Sequence, residues 1–144
     1  MICTSIVEQI ICGCAKVKRI YLGWLDGYSL DEIKKIKLSK ETLEELIVDW
    51  CTDMNLFVDY APNLERFSYA GIRREQNEIW ISSMRNLRSM TLVQAHVTGF
   101  NVVNQVLQYP RLEELVLVSC STIDRLVISS AKLDDFVLCR REVL

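Results

Sequence analysis

The sequence predicts an α/β repeat solenoid, a strand-rich chain in which each coil adds one strand to a parallel sheet. The first observation is the stretch Leu112–Cys120, which has apolar residues at its first, fourth and sixth places and a cysteine at its ninth. The second is Leu43–Cys51, whose letters LEELIVDWC nearly repeat LEELVLVSC. The third is that further stretches carry this pattern at similar intervals. Self-similarity at a regular period is typical of solenoids.

Six such units align on the first apolar place. Successive first places are 26, 21, 23, 25 and 21 residues apart, within the roughly 20–29 residue period of leucine-rich repeats. We therefore predict a leucine-rich-repeat solenoid with a parallel concave sheet of about six strands. The units are Val17-Ile20-Leu22, Leu43-Leu46-Val48, Leu64-Phe67-Tyr69, Leu87-Met90-Leu92, Leu112-Leu115-Leu117 and Leu133-Phe136-Leu138.

Ahead of the first unit the sequence predicts a helix over residues 4–13. Thr4 or Ser5 is placed to cap its start, and Gly13 follows its last turn. We expect this helix to cover the open end of the first coil. Its inward stripe is predicted to be Ile6, Val7, Ile10 and Ile11.

Apolar segments about halfway around the coils alternate with polar residues, which indicates short strands on the convex side. Residues 98–109 differ, because their apolar residues recur at helical spacing, Thr98 or Asn101 can cap the start and Pro110 ends the segment. One coil is therefore expected to return through a helix. Pro62, like Pro110, stands two residues before a first-place leucine and should turn the chain into the next strand. The convex strands are Ile33-Ile36-Leu38, Leu56-Val58, Ile79-Ile81 and Leu126-Ile128.

Length and composition indicate one globular domain over residues 1–144, with 50% hydrophobic and 25% charged residues. The net charge of -2 provides no basic field for nucleic acid or an anionic membrane surface. No apolar run reaches the roughly 18 residues of a membrane-spanning helix. The last strand has no covering repeat after it, so we expect a fragment or a truncated product with an exposed apolar edge. That edge comprises Val137, Leu138, Val143 and Leu144.

Two of the 6 cysteines, Cys51 and Cys120, occupy the same place of the repeat. We interpret them as buried packing residues in a reducing compartment, which predicts a cytoplasmic or nuclear protein. The apolar N-terminus lacks a positively charged start and contains Glu8, which argues against an export signal.

Several segments resemble the repeats of plant F-box leucine-rich-repeat proteins of the FBD type. They are LEELVLVSC (112–120), IDRLVISS (123–130), AKLDDFVL (131–138), and ICGC (11–14) ahead of VKRI (17–20). The resemblance covers most of residues 10–140. It implies that the repeats hold a protein to be ubiquitinated by a cullin ubiquitin ligase, while an F-box would dock on the Skp adaptor. Neither a leucine- and proline-rich F-box ahead of Cys12 nor an FBD segment is recognisable, so contact with the adaptor is expected only if an F-box lies upstream.

A protein target is expected on the concave face, where the outward places of the strands form columns. The fifth and eighth places of the first two units bring four large side chains together, and their third places add opposite charges. Exposed Trp and Tyr often anchor interfaces, although the tryptophans of the strand ends can instead fold inward and pack. The candidate partner-binding residues are Tyr21, Trp24, Ile47, Trp50, Arg19 and Glu45. Trp80, on the convex side, is expected in the core.

Catalytic machinery is not indicated. His96 is the only histidine and is expected in a solvated loop. Cys12 and Cys14, with Cys3, have poor spacing for a metal site, and adjacent strand carboxylates such as Glu113 and Glu114 point to opposite faces. We therefore predict a non-enzymatic recognition module without cofactor or metal, the substrate-binding repeat region of an F-box-type ligase subunit. The alternative is a truncated structural or decoy repeat protein with no ligase role.

Overall fold

The fold is a solenoid of parallel strands. The computed structural model describes residues 9–23, 35–50, 55–71, 79–81, 85–95, 109–120 and 132–139. Residues 9–13 are helical, and the described ranges contain nine strands after them. They are β1 Arg19–Gly23, β2 Lys35–Ser39, β3 Glu45–Asp49, β4 Asn55–Tyr60, β5 Arg66–Ala70, β6 Ile79–Ile81, β7 Ser89–Val93, β8 Glu114–Val118 and β9 Asp135–Cys139.

The strands form two sheets, and every pairing is parallel. The main sheet has six strands in the order β1-β3-β5-β7-β8-β9, and the return sheet has three in the order β2-β4-β6. Strands therefore alternate between the sheets over the first half of the chain, as expected for coils that pass from one side to the other. The predicted strand-rich solenoid with a six-stranded parallel sheet is confirmed.

The predicted register of the main sheet is also confirmed. The fourth places lie side by side from Ile20 in β1 to Phe136 in β9, without a shift. One hydrogen-bond pattern opens every strand pair. The carbonyl of Lys18 accepts the amides of Glu44 and Glu45 at 2.7 and 3.0 Å, and the second-place carbonyls of the next four units accept in the same way. A backbone pattern repeated at each junction is what keeps the coils stacked.

A turn precedes the strands of the main sheet. The amide of Leu64 donates to the carbonyl of Ala61 at 3.1 Å, and that of Leu112 donates to Tyr109 at 3.2 Å. Pro62 and Pro110 occupy the second position of these turns, where their fixed φ suits a β-turn. The turning role predicted for the two prolines is confirmed.

Polar side chains at the turns tie successive coils together, a feature that the apolar pattern did not reveal. Asn63 donates through Nδ2 to the carbonyl of Glu41 at 2.8 Å, and Asn86 donates likewise to Pro62 at 2.9 Å. Arg111 then donates to Oδ1 of Asn86 at 2.9 Å. Each donor stands one residue before a first-place leucine. A polar side chain at this place therefore links its coil to the preceding one.

The core lies between the main and return sheets. The convex strands predicted around Ile36, Leu56 and Ile79 are confirmed as β2, β4 and β6, and their inward side chains join the main-sheet residues in one buried cluster. The convex segment Leu126-Ile128 and the predicted helix over residues 98–109 lie outside the described residues. Within the described ranges, no helix has the length and hydropathy that crossing a bilayer requires.

The N-terminal helix corrects one prediction. Its described part ends at Gly13 as expected, and Ile11 is buried, but Ile10 is 63% exposed rather than inward. Consecutive helical residues point roughly 100° apart, so a short helix that buries Ile11 against one coil turns its neighbour to solvent. Thr4, Ser5, Ile6 and Val7 lie outside the described residues.

Candidate functional site: the outer face of the main sheet

The outer face of the main sheet is the side that points away from the core. It carries the third, fifth and seventh places, because alternate residues of a strand share a face. The fourth and sixth places are buried between the sheets from β3 to β8, so side chains available to a partner come from the outward columns. The third-place column is Arg19, Glu45, Arg66, Ser89, Glu114 and Asp135, and the fifth-place column is Tyr21, Ile47, Ser68, Thr91, Val116 and Val137.

Tyr21 and Ile47 are neighbours on this face, as the sequence predicts. They are register partners in the β1–β3 pair, and Tyr21 is 61% exposed. The Tyr21 ring extends along its own strand, since a Cβ added to Gly23 would lie 2.7 Å from the ring carbon Cε1 and from the hydroxyl oxygen. The absence of a side chain at Gly23 therefore lets the ring lie against the strand with much of its surface open to solvent.

Trp50, the residue after β3, has an unusual backbone conformation. Its φ is 54°, in the left-handed region that few residues with a side chain adopt, and its amide still donates to the carbonyl of Ala70 at 2.8 Å. Gln94 and Ser119 occupy the same place and have φ values of 51° and 52°. The left-handed conformation thus follows β3, β7 and β8, whereas Gly71, at the same place after β5, does not have a positive φ. The Trp50 side chain is 40% exposed, between the packed and the open alternatives left by the sequence. Trp24 lies outside the described residues.

Charges alternate along the rim beside this aromatic end of the sheet. Arg19 pairs in register with Glu45, which pairs in turn with Arg66. One place earlier, Lys18 and Glu44 form an ion pair at 3.2 Å whose side chains are both well exposed. Alternating signs on adjacent strands attract one another and present a partner with a patterned charge.

A second apolar area lies on the outer face toward β8, and the sequence analysis did not include it. Val93 and Val118 are register partners at the seventh place, and Val116 stands beside them at the fifth. All three are partly buried, and Glu114 forms the rim, where its Oε1 accepts a hydrogen bond from Oγ of Ser89 at 2.9 Å. The alternation of outward apolar residues in ELVLV was the available signal.

The four cysteines that the structure describes divide into one packed thiol and three exposed ones. Cys120 donates to the carbonyl of Leu92 at 3.3 Å and packs against the core. Burial raises the pKa of this thiol, and hydrogen bonding with backbone groups only partly offsets that rise. Cys120 therefore packs against the core as predicted but is only partly buried, while Cys51 lies outside the described residues. Cys12, Cys14 and Cys139 are free and exposed.

The described residues do not bring the candidate metal-binding or catalytic side chains together. The residues that the structure describes contain no cluster of three His, Cys, Asp or Glu side chains able to hold a metal. Cys3 and His96 lie outside the described ranges, and Trp80 belongs to β6 but its packing is not described. What the described arrangement offers chemically is a broad face with aromatic, apolar and charged columns in fixed register.

Comparison of the chain with protein-family models, with curated proteins and with solved structures finds no match in any of the three. By its fold the protein is a repeat solenoid with a parallel main sheet. Its function is therefore inferred from the repeat pattern and the outer face.

Proposed function

We propose that this chain is a protein-recognition module of the leucine-rich-repeat class that binds a protein target on the outer face of its main sheet. The observation that carries the proposal is the exposed Tyr21 ring beside Ile47, in a register fixed by the β1–β3 pairing. Trp50 adds a second partly exposed aromatic side chain at the end of β3. Tyr and Trp dominate the energetics of protein interfaces.

The stiffness of the sheet supports binding on this face. Tyr21 and Ile47 are held on adjacent strands by backbone hydrogen bonds, so little backbone ordering has to accompany binding, and a preorganised surface loses less conformational entropy in the complex. The alternating charges of Arg19, Glu45 and Arg66 lie along the same edge of the face. A partner that complements this order of signs binds in one orientation.

The narrower proposal is that the target is a substrate of a cullin ubiquitin ligase. It is supported by the resemblance of segments such as LEELVLVSC (112–120) to plant F-box leucine-rich-repeat proteins. In this proposal the chain is non-enzymatic, needs no cofactor, acts in the cytoplasm or nucleus, and reaches the Skp adaptor only through an F-box encoded upstream. The rival remains a structural or decoy repeat protein.

A paired pulldown from plant cell extract tests the ligase role. The chain is compared with the same chain fused to its upstream genomic coding sequence, and captured proteins are identified by mass spectrometry. Recovery of the Skp adaptor and cullin with the extended form alone is the expected result. If neither form recovers them, the ligase role is wrong and the rival proposal takes its place.

The binding face is tested separately with aromatic variants. Tyr21→Ala and Trp50→Ala are each expected to weaken target binding by about 2 kcal/mol, roughly 30-fold in Kd. Tyr60→Ala is the matched control, because Tyr60 is also exposed but belongs to β4 of the return sheet. Titration calorimetry or surface plasmon resonance measures the affinities, and circular dichroism confirms folding. Unchanged affinity in folded Tyr21 and Trp50 variants would refute this face.

A further inference from the structure

Three charged side chains form a row across the outer face of β1, β3 and β5. Arg19, Glu45 and Arg66 are register partners at the third places of these strands. Both arginines are exposed, and Glu45 is partly exposed. Within the described part of the chain none of the three forms an ion pair, whereas Lys18 and Glu44, one place earlier, pair with each other at 3.2 Å. The row therefore offers a partner a positive, a negative and a positive group in that order.

Apolar side chains lie beside this row of charges. Tyr21 and Ile47 stand two residues further along β1 and β3, about 6.6 Å away in the strand direction. The exposed Tyr21 ring extends toward Gly23 and thus away from Arg19, so it does not cover the surface between the two rows. A partner that lies across the strands can contact the charges and the apolar side chains together.

We propose, on the basis of the proposed function, that the target binds this face through an α-helix laid across the strands. Its contacting side chains are acidic, basic and acidic, at helix positions i, i+3 or i+4, and i+7. The spacing carries the proposal, since strands about 4.8 Å apart place the outer charges of the row about 9.6 Å apart. Residues three or four apart on a helix are separated by about 4.5–6 Å, and residues seven apart by about 10.5 Å.

An extended partner matches the row less well. Residues on one side of a strand are about 6.8 Å apart, so a strand laid across the sheet would overshoot the third charge by about 4 Å. An extended segment laid along β3 would oppose Glu45 but neither arginine. Only the helical spacing sets one partner charge opposite each of the three groups.

The chemistry of such a helix is consistent with its own stability. Opposite charges three or four residues apart stabilise a helix in isolation, so the stripe that complements the row also supports the partner's fold. A neighbouring stripe with apolar side chains would pack on Tyr21 and Ile47. The fifth place of β5 is the small polar Ser68, which confines the apolar contact to the first two strands.

Two alanine-based helical peptides test the order of charges. The matched peptide carries Glu, Lys and Glu at i, i+4 and i+7, with leucines on the neighbouring stripe. The permuted peptide carries Glu, Glu and Lys at the same positions and therefore has the same composition and net charge. Titration calorimetry with the full chain should show about tenfold tighter binding of the matched peptide. Equal affinities, or no binding of the matched peptide at about 1 mM, would overturn the proposal.

A charge exchange on the chain tests the pairing at the middle of the row. Glu45→Lys should weaken binding of the matched peptide by about tenfold, and changing the peptide's lysine to glutamate should restore most of the affinity. Glu113→Lys is the control, because Glu113 is exposed and makes the same change of charge in front of β8. An equal loss in the two folded variants would show that the peptide senses net charge and not the row.

Two further measurements separate this proposal from the proposed function. A peptide with the same three charges at alternate positions of a threonine-rich, extended background should bind more weakly than the matched helix, and tighter binding would overturn the helix. Tyr21→Ala should weaken binding of the matched peptide. If it weakens both helical peptides and neither is preferred, the helical order is wrong while the proposed face stands. Preference for the matched peptide that Tyr21→Ala leaves unchanged supports the charged row and refutes the aromatic anchor.

Discussion

Strands β8 and β9 carry the same repeat pattern and differ in their surroundings. β8 reads ELVLV and β9 reads DFVLC, and their residues pair in register. Leu115 and Leu117 are completely buried in β8, whereas every residue of β9 is exposed. The pattern therefore determines which way a side chain points, and the presence of a strand on both sides determines whether that side chain leaves water.

The difference is one of solenoid position rather than of residue type. A coil buries its apolar face only against its neighbours, so an interior strand gains burial twice and an edge strand once. The backbone hydrogen bonds do not follow this rule, since the carbonyl of Glu113 in front of β8 accepts the amides of Asp134 and Asp135 at 2.9 and 3.0 Å, as at the interior pairs. β9 thus has the backbone bonds of the repeat but less of its hydrophobic burial.

The largest expected effect is the difference in lost stability between alanine substitutions at the fourth places of β8 and β9. Leu115→Ala opens a cavity in a fully buried site and should lower the free energy of unfolding by about 3 kcal/mol. Phe136→Ala removes a larger side chain, but nearly half of it is already in water, so the expected loss is about 1 kcal/mol. Urea unfolding at a concentration where the chain is monomeric measures both values. Equal losses would show that β9 is packed as well as β8.

The second prediction contrasts two glycines. A Cβ added to the buried Gly71 would lie 2.7 Å from the backbone oxygen of Gln94 and 3.0 Å from Cε1 of Tyr69. The Gln94 oxygen belongs to backbone that directly follows the interior strand β7 and yields less readily than a side chain, so Gly71→Ala should lower stability by about 1–3 kcal/mol. Gly23, in the edge strand β1, meets only the tip of the Tyr21 ring, which can rotate away.

Gly23→Ala is therefore the control and should cost less than about 0.5 kcal/mol. Thermal unfolding of both variants provides the comparison. A Gly23 variant as unstable as the Gly71 variant would mean that the Tyr21 ring is held in place, which would also raise its value as a preorganised anchor.

Much of this fold was predictable from the sequence, because the spacing of equivalent residues in successive repeats gives the register of the strands. Once Leu43 and Leu112 were aligned, the columns from Ile20 to Phe136 followed, and the structure has that register without a shift. The return strands were also predictable, since their residues alternate between apolar and polar. The polar ties of Asn63 and Asn86 were not, because a polar residue before a strand resembles any other turn residue.

The candidate site was predictable only in part. The neighbours Tyr21 and Ile47 follow from register alone, but the residue pattern predicted neither the 40% exposure of Trp50 nor its left-handed φ. Gln94 and Ser119 have the same conformation at the same place, so it is not specific to the tryptophan side chain. The outward valines Val93 and Val118 were not predicted as part of the site, because apolar residues that alternate along a strand are common and do not by themselves indicate an interface.

The smallest expected effect contrasts two thiols. Burial raises the pKa of Cys120, so at neutral pH this group stays a thiol, and the thiolate that reacts with an alkylating reagent is scarce. Cys139, in β9, is exposed. Alkylation of Cys120, followed by peptide mass spectrometry, should be slower than that of Cys139 by roughly tenfold or more, and the rate at Cys120 should rise at higher pH.

The same pKa shift of Cys120 determines how the stability of the fold changes with pH. A thiol whose pKa is raised by folding stabilises the fold while it is protonated, and that contribution is lost as the pH rises above the ordinary thiol pKa. Cys120→Ala should therefore flatten the fall in unfolding free energy at alkaline pH. Equal alkylation rates at the two residues would mean that the coil bearing Cys120 opens as readily as the edge strand. The difference in burial between β8 and β9 would then not be matched by a difference in local opening.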